Sequence, residues 1–232
     1  MSNFAIIVAA GTGQRMNHSL PKQFHVLNEI PVLMRTLHAF HRSSSQPEIV
    51  LVLAKEWTDY WMDLCYQYQF HVPHSVVEGG ESRFQSVKNG LTYIRDERGQ
   101  DANLSTSVIA VHDGARPLVT SSLIDLSYTS ALEHGAVAPG VSCTDSVRMT
   151  DLEARKNHAL SRDQVYLIQT PQTFRADLLI EAYKQEEIPA FTDDCSVIES
   201  AGIPISLIPG ERTNIKITNA SDLLVANAFL QD

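Results

Sequence analysis

The sequence predicts an α/β fold: a mostly parallel sheet with helices on both faces. Three observations predict it. Apolar runs without polar alternation recur through the first two thirds of the chain, amphipathic helical runs separate them, and the loops after 10, 78 and 112 carry glycine and polar residues. Strands that are apolar on both faces and separated by helices belong to a parallel sheet buried on both sides.

The elements follow in order. "FAIIVAA" (4–10), "EIVLVLA" (48–54), "HSVVEG" (74–79) and "SVIAVHDG" (107–114) read as strands. "PVLMRTLHAFHR" (31–42), "EWTDYWMDLCYQYQF" (56–70) and "SRFQSVKNGLTYIRDER" (82–98) read as helices, and in the last Phe84, Val87, Leu91 and Ile94 form one stripe. "GQDANLSTS" (99–107) reads as an exposed loop. Near 142 the alternation breaks. Two strand-like pieces, 145–149 and 164–169, flank a polar turn and predict a β-hairpin arm at about 142–168, projecting from the single domain formed by residues 1–232. An isolated two-stranded ribbon is marginal in water, so the arm should pack on a second copy of the chain or back on its own domain. Beyond it, 175–187, 193–202 and 220–231 read as helices, and "ISLIP" (205–209) and "NIKIT" (214–218) as strands.

Composition narrows the function. Of 232 residues 44% are hydrophobic, and no apolar run approaches the roughly 20 residues that span a bilayer. The start "MSNFAIIVAAG" has no basic leader or small-residue cleavage site, so the expectation is a soluble cytoplasmic protein. Cys65, Cys143 and Cys195 are too few and too scattered for a disulfide framework or a zinc cage. A net charge of −9 argues against nucleic acid as a partner. A small phosphorylated ligand needs only a few local cations.

Open α/β sheets bind ligands outside the carboxyl ends of their strands. The first such loop is "AAGTGQRM", followed by "LPKQF". Its glycines are too few for a dinucleotide fingerprint, and no Gly-Lys-Ser/Thr makes a P-loop. Successive amides in such a turn cradle anions; Arg15 offers a phosphate-matched fork and Lys22 a point charge that Pro21 helps to place. An ordinary tight turn with two solvated cations would look the same. In "VHDGARP" (111–117) a buried strand delivers Asp113 to the sheet edge, where a carboxylate facing a phosphate is a suitable Mg²⁺ ligand, although Asp113 and Arg116 could simply pair. His112 reads as packed. In "EGGESRFQSV" Gly79 and Gly80 free the backbone, Ser82 reads as an N-cap and Ser86 lies one turn into the helix. Lys216, inside an apolar strand pattern, faces either solvent or an anion.

Taken together, "AAGTGQRM…PKQF", "GGESRFQSVKNGL", "HDGARP", "TPQTF", "TDDCSVIESAG" and "NIKIT…DL" resemble, in order and over about 4–230, the 2-C-methyl-D-erythritol 4-phosphate cytidylyltransferases. The resemblance implies a Rossmann-like nucleotidyltransferase fold and a homodimer joined through the hairpin arm. It also implies Mg²⁺-dependent transfer of CMP from CTP to 2-C-methyl-D-erythritol 4-phosphate, in non-mevalonate isoprenoid precursor biosynthesis. By the same resemblance Arg15 and Lys22 hold the CTP phosphates, and Ala9, Ala10 and Gly11 form the phosphate turn. Gly80, Glu81 and Ser86 surround the cytosine. Asp113 serves the metal and both substrates, and Lys216 stabilises the reacting phosphoryl group. Arg116, Ser146, Arg162, Thr170 and Thr192 serve the acceptor, Arg162 from across the dimer. Gly114 departs from the family's usual alanine, and Thr213 from a frequent acidic residue. A cytidylyltransferase for another polyol phosphate, such as ribitol 5-phosphate, is an alternative on the same fold. A non-catalytic nucleotide-binding regulator is a third reading.

Overall fold

The four apolar runs become four adjacent parallel strands. The computed structural model describes residues 2–11, 20–98, 104–151, 153 and 155–231. In chain order these carry β1 (Asn3–Val8), β2 (Val26–Leu27), β3 (Ile30–Pro31), α1 (Val32–Arg42), β4 (Glu48–Leu53), α2 (Thr58–Gln67), β5 (Ser75–Glu78), α3 (Arg83–Tyr93) and β6 (Val108–Asp113). There follow α4 (Ser121–His134), β7 (Ala136–Ser142), β8 (Val147–Asp151), β9 (Lys156–Leu160), β10 (Tyr166–Ile168), β11 (Gln172–Arg175), α5 (Ala176–Ala182), α6 (Asp194–Ser200), β12 (Ser206–Pro209) and α7 (Ala220–Phe229).

Among the described residues the main sheet runs β10-β7-β11-β6-β1-β4-β5, with β12 also paired to β7. Strand β1 is parallel to β4 and β6, and β4 to β5. Strand β11 runs antiparallel between β6 and β7. Alternate residues of each strand feed opposite faces. Ala5, Ile7, Leu51 and Ala110 pack with Leu37 of α1, Trp61 of α2 and Tyr128 of α4. Phe4, Ile6, Val50 and Ile109 pack with α3, α5 and α6 on the other face, where the stripe Phe84, Val87, Leu91 and Ile94 is buried as expected. Each buried Val, Leu, Ile or Phe side chain among them gains about 1.5–3 kcal/mol from leaving water. A smaller cluster of Leu27, Val32, Ala115, Ile217 and Ala226 seats α7.

Two expectations need correction. The hairpin exists, but its second strand is β9, which pairs with β8 from Val147↔Leu160 to Asp151↔Lys156. The expected second strand, around 164–169, instead joins the main sheet as β10, Tyr166 facing Ser142 and Ile168 facing Gly140. The open edge of β7 supplies those apolar residues with backbone partners. The ribbon β8–β9, mostly exposed, keeps the polar "KNHAL", which has no strand alternation to read. "NIKIT" (214–218) is extended but not a strand. Side chains meet the Asn214 carbonyl, which accepts from Arg116 Nη1 at 2.8 Å and Gln169 Nε2 at 3.3 Å, where a neighbouring strand would otherwise serve. The 82–98 run is α3 followed by a π turn over Ile94–Arg98. The expected loop 99–107 lies largely outside the described residues, with a short 3-10 turn at Leu104–Thr106.

Candidate active site

The carboxyl ends of β1, β4, β5 and β6 open into a cleft of about 570 Å³. Its floor is built by three loops and a cross-strand hydroxyl.

The first loop follows β1. Ala9, Ala10 and Gly11 line the cleft, and Ala9 N donates to Val52 O at 2.8 Å, continuing the β1–β4 ladder by one bond. Lys22 enters from a 3-10 turn, Lys22–Phe24, that Pro21 starts at φ −58°. The two residues that follow Lys22 in that turn are anchored. The buried Gln23 donates from Nε2 to Ala9 O at 2.7 Å, and Phe24 sits among Trp57, Tyr60 and Trp61, with ring centroids at 5.2–6.4 Å. Arg15 lies outside the described residues.

The second loop follows β5. Gly79 N donates to Leu53 O at 2.7 Å, drawing the loop in against β4. A Cβ on Gly79 would stand 2.4 Å from Ala10 Cβ and 3.4 Å from Leu53 O, so glycine is what lets the two loops meet. Gly79→Ala is therefore expected to cost about 1–3 kcal/mol by overpacking, read as a lower denaturant midpoint. An unchanged midpoint would mean the loops part freely. Ser82 caps α3 by accepting from Gln85 N at 3.0 Å, as its position predicted. The Ser86 hydroxyl accepts from Gly80 N at 3.1 Å and donates to Ser82 O at 2.8 Å. It thereby shapes the Gly80–Glu81 rim from beneath.

The third loop follows β6 and presents Asp113. Gly114 N donates to Val8 O at 2.9 Å and the Thr36 hydroxyl donates to Gly114 O at 3.0 Å, pinning the turn to β1 and α1. A Cβ on Gly114 would meet Ala9 Cβ and Leu33 Cδ1 at 3.0 Å each, a tight fit for the alanine that the resembled family carries there. Asp113 N donates to Thr170 Oγ1 at 3.1 Å, and that hydroxyl also contacts His112 Nδ1 at 3.0 Å. Thr170 thus supports Asp113 from beneath. His112 is fully buried against Phe40; burial pushes its imidazole down to about 3, so it is neutral and packed.

Three cations converge on Asp113. Lys216 Nζ lies 3.0 Å and Arg116 Nε 3.3 Å from Oδ2, and Arg83 Nε lies 3.7 Å from Oδ1. Burial alone would raise this carboxyl, but Arg83, Lys216 and Arg116 outweigh it and hold it well below the usual carboxylate range. The cleft lining balances Lys22, Lys55, Arg83 and Lys216 against Glu56, Glu78, Glu81 and Asp113, far from the acidity of the whole chain.

Nine of the residues chosen from sequence therefore line one cleft: Ala9, Ala10, Gly11, Lys22, Gly80, Glu81, Ser86, Asp113 and Lys216. The acceptor set is not gathered with them. Arg116 bridges Asp113 and the Asn214 carbonyl without lining the cleft, and Thr170 lies behind Asp113. Thr192 is exposed ahead of α6, and Ser146 and Arg162 are exposed at the base of the hairpin, where Arg162 Nη1 donates to Thr144 O at 3.3 Å. Sequence reasoning missed Arg83 and Gln23. Arg83 did leave a signal, because a cation in the first turn opposes the helix dipole and needs another reason to be there. Gln23 left none.

Comparison with known proteins shows the family to which the chain belongs. The family model described as IspD: 2-C-methyl-D-erythritol 4-phosphate cytidylyltransferase matches residues 3–232. The protein of that name from Bacteroides fragilis is 44% identical over 230 residues, spanning 99% of this chain and all of the relative. Among solved structures, the 4-diphosphocytidyl-2C-methyl-D-erythritol synthase of Anaerococcus prevotii superposes with a TM-score of 0.81 at 29% identity, over 100% of this chain and 96% of that one. The cytidylyltransferase of Thermus thermophilus superposes with a TM-score of 0.76 at 28% identity, over the full length of both.

Proposed function

Because the chain belongs to the 2-C-methyl-D-erythritol 4-phosphate cytidylyltransferase family, we propose that the cleft around Asp113 is where its reaction takes place. The protein is an enzyme that transfers CMP from CTP to 2-C-methyl-D-erythritol 4-phosphate, giving 4-diphosphocytidyl-2-C-methyl-D-erythritol and pyrophosphate, in isoprenoid precursor biosynthesis. The observation that carries the placement is the convergence of Lys216, Arg116 and Arg83 on one buried carboxylate beside Lys22 and the 9–11 turn.

In this reading the triphosphate lies over Ala9, Ala10 and Gly11 with Lys22 and Arg15 on its oxygens. The cytosine sits against Gly80 and Glu81, whose loop Ser86 holds. The acceptor's phosphate oxygen attacks the α-phosphorus of CTP, the bond to the β-phosphate oxygen breaks, and pyrophosphate leaves with that electron pair. A phosphate monoester is already ionised at neutral pH, so no side chain has to remove a proton from it. Catalysis is positioning and charge neutralisation, and Lys22 and Lys216 supply fixed positive charge where negative charge accumulates. Asp113 keeps Lys216 at the floor of the cleft rather than free in solvent.

A divalent cation such as Mg²⁺ fits the donor set. Asp113 is a hard oxygen donor whose Oδ1 meets Arg83 only at 3.7 Å, beyond hydrogen-bond range, and Mg²⁺ typically takes one or two carboxylates together with substrate phosphates. Among the described residues no group of three His, Cys, Asp or Glu could cage a metal without such phosphates. When bound, the ion would neutralise phosphate charge.

Residues 1–232 act as one cytidylyltransferase unit, a reading supported by the family match over 3–232. The acceptor's phosphate is held by Arg162, with Ser146, Thr192 and Arg116, in a homodimer where the arm of one copy reaches the cleft of the other. Supporting this, Met149 on the hairpin and Tyr166, Leu167 and Ile168 on β10 are exposed apolar residues. The enzyme works in the cytoplasm, a reading supported by three free cysteines and by the absence, among the described residues, of any helix able to cross a membrane.

Pyrophosphate release from CTP with Mg²⁺ tests the reading. Release with 2-C-methyl-D-erythritol 4-phosphate, and none with ribitol 5-phosphate or without acceptor, is expected. Release with ribitol 5-phosphate alone would move the acceptor assignment, and CTP binding without any release would defeat the catalytic reading.

A further inference from the structure

Arg83 lines the cleft, but its closest partner lies outside the cleft lining. Its guanidinium donates from Nη1 to Asp194 Oδ1 at 2.9 Å and from Nη2 to Asp194 Oδ2 at 2.6 Å, a bidentate fork. Asp194 has no exposed surface. The Tyr183 hydroxyl donates to its Oδ1 at 2.6 Å, and Phe84 stacks on the Tyr183 ring with centroids 4.7 Å apart. Its backbone N donates to Gln172 Oε1 at 3.0 Å, as does Cys195 N. Gln172 in turn faces Val111 across the β11–β6 pair, two residues before Asp113.

We propose that Asp194 is a positioning residue of the transfer site, acting through Arg83 to fix the Asp113 carboxylate. The inference rests on the reading of Asp113 given above. Three facts lead to it. The guanidinium is planar, so two bonds to Asp194 fix its plane and hold Nε 3.7 Å from Asp113 Oδ1. Lys216 and Arg116 both engage Oδ2, which leaves Arg83 as the cation facing Oδ1. A buried ion pair is weak as a stabilising device compared with apolar packing, and both α3 and α6 already share an extensive apolar core. Direction is what the charged pair adds. Thr192 and Asp193 precede Asp194 at the start of α6, so the same pair also ties this loop to the cleft floor.

The test compares Asp194→Asn, Arg83→Lys, the double variant Asp194→Asn/Arg83→Lys, Tyr183→Phe and Asp113→Asn by thermal melting, kcat and the KM of each substrate. Asp194→Asn is expected to lower kcat about 10- to 100-fold, the size carried by residues that orient a contacting group. Tyr183→Phe, which removes one hydrogen bond and leaves the ion pair, is expected to lower kcat about 3- to 10-fold. In both the KM for CTP stays close to wild type. The double variant loses no more kcat than its worse single, because both changes cut one path. A purely structural pair would lower only the melting midpoint. Wild-type kcat in folded Asp194→Asn and Tyr183→Phe would therefore overturn the inference. Should Asp194→Asn fail to fold, Tyr183→Phe decides alone. Inactive Asp113→Asn beside normal Asp194 and Tyr183 variants would defeat this inference and spare the site. Active Asp113→Asn would defeat both.

Discussion

Lys22→Ala is expected to lower turnover by roughly two to three orders of magnitude, the cost of about 3–4 kcal/mol seen on losing one preorganised charge contact. The structure explains why so small a change should act on chemistry rather than on folding. Lys22 is only partly buried, while the groups that hold its turn remain: Pro21, the Gln23 bond to Ala9 O at 2.7 Å and Phe24 in its aromatic setting. What disappears is one fixed positive charge at the mouth of the 9–11 turn. Alanine leaves the backbone amides proposed to face the triphosphate, so nucleotide binding should weaken less than turnover falls. Steady-state pyrophosphate release beside a thermal melt checks this. A folded variant with wild-type turnover would show that Lys22 is misplaced in the reading of the site.

Asp113→Asn combines a catalytic loss with a stability loss. Asparagine keeps the shape but leaves Lys216 and Arg116 facing a neutral amide, while Arg83 keeps Asp194. Removing one partner of a buried charge cluster costs about 3–5 kcal/mol, because the remaining charges stay desolvated and repel. Turnover is expected to fall by about three orders of magnitude, as the reacting groups lose the carboxylate that orients Lys216. The two effects can be separated. Added pyrophosphate or sulfate should recover part of the lost melting temperature by occupying the cationic cluster, without recovering turnover. A variant as stable and as active as the parent would mean the three cations are not organised by Asp113.

Some of this was written locally along the chain. The period of Phe84, Val87, Leu91 and Ile94 names the buried face of α3 before any contact is known, and Ser82 names its start. The small residues after β1 and β5 mark where two loops approach, although the 2.4 Å between Ala10 Cβ and a Cβ built on Gly79 belongs to their packing. The arm was legible only as a break in alternation. Its second strand was misplaced because "KNHAL" is wet on both faces and carries no pattern, whereas "YLI" looks like the better strand and is taken by β7. "NIKIT" reads as a strand by composition, but its backbone is met by side chains of Arg116 and Gln169 from elsewhere.

The sequence by itself determined the α/β class, the alternation of the main strands and helices as far as β6, and the three loops at which to look for an anion. Those follow from burial period, capping and glycine placement, each of which acts within a few residues. Tertiary structure alone decided which charges meet. Arg83 and Asp194 are 111 positions apart, and Lys216 reaches Asp113 from beyond β12. No local propensity encodes such a pair. Its members meet because the sheet order brings α3, α6, the end of β6 and the 214–218 segment to one edge, where the desolvated carboxylates of Asp113 and Asp194 require cations.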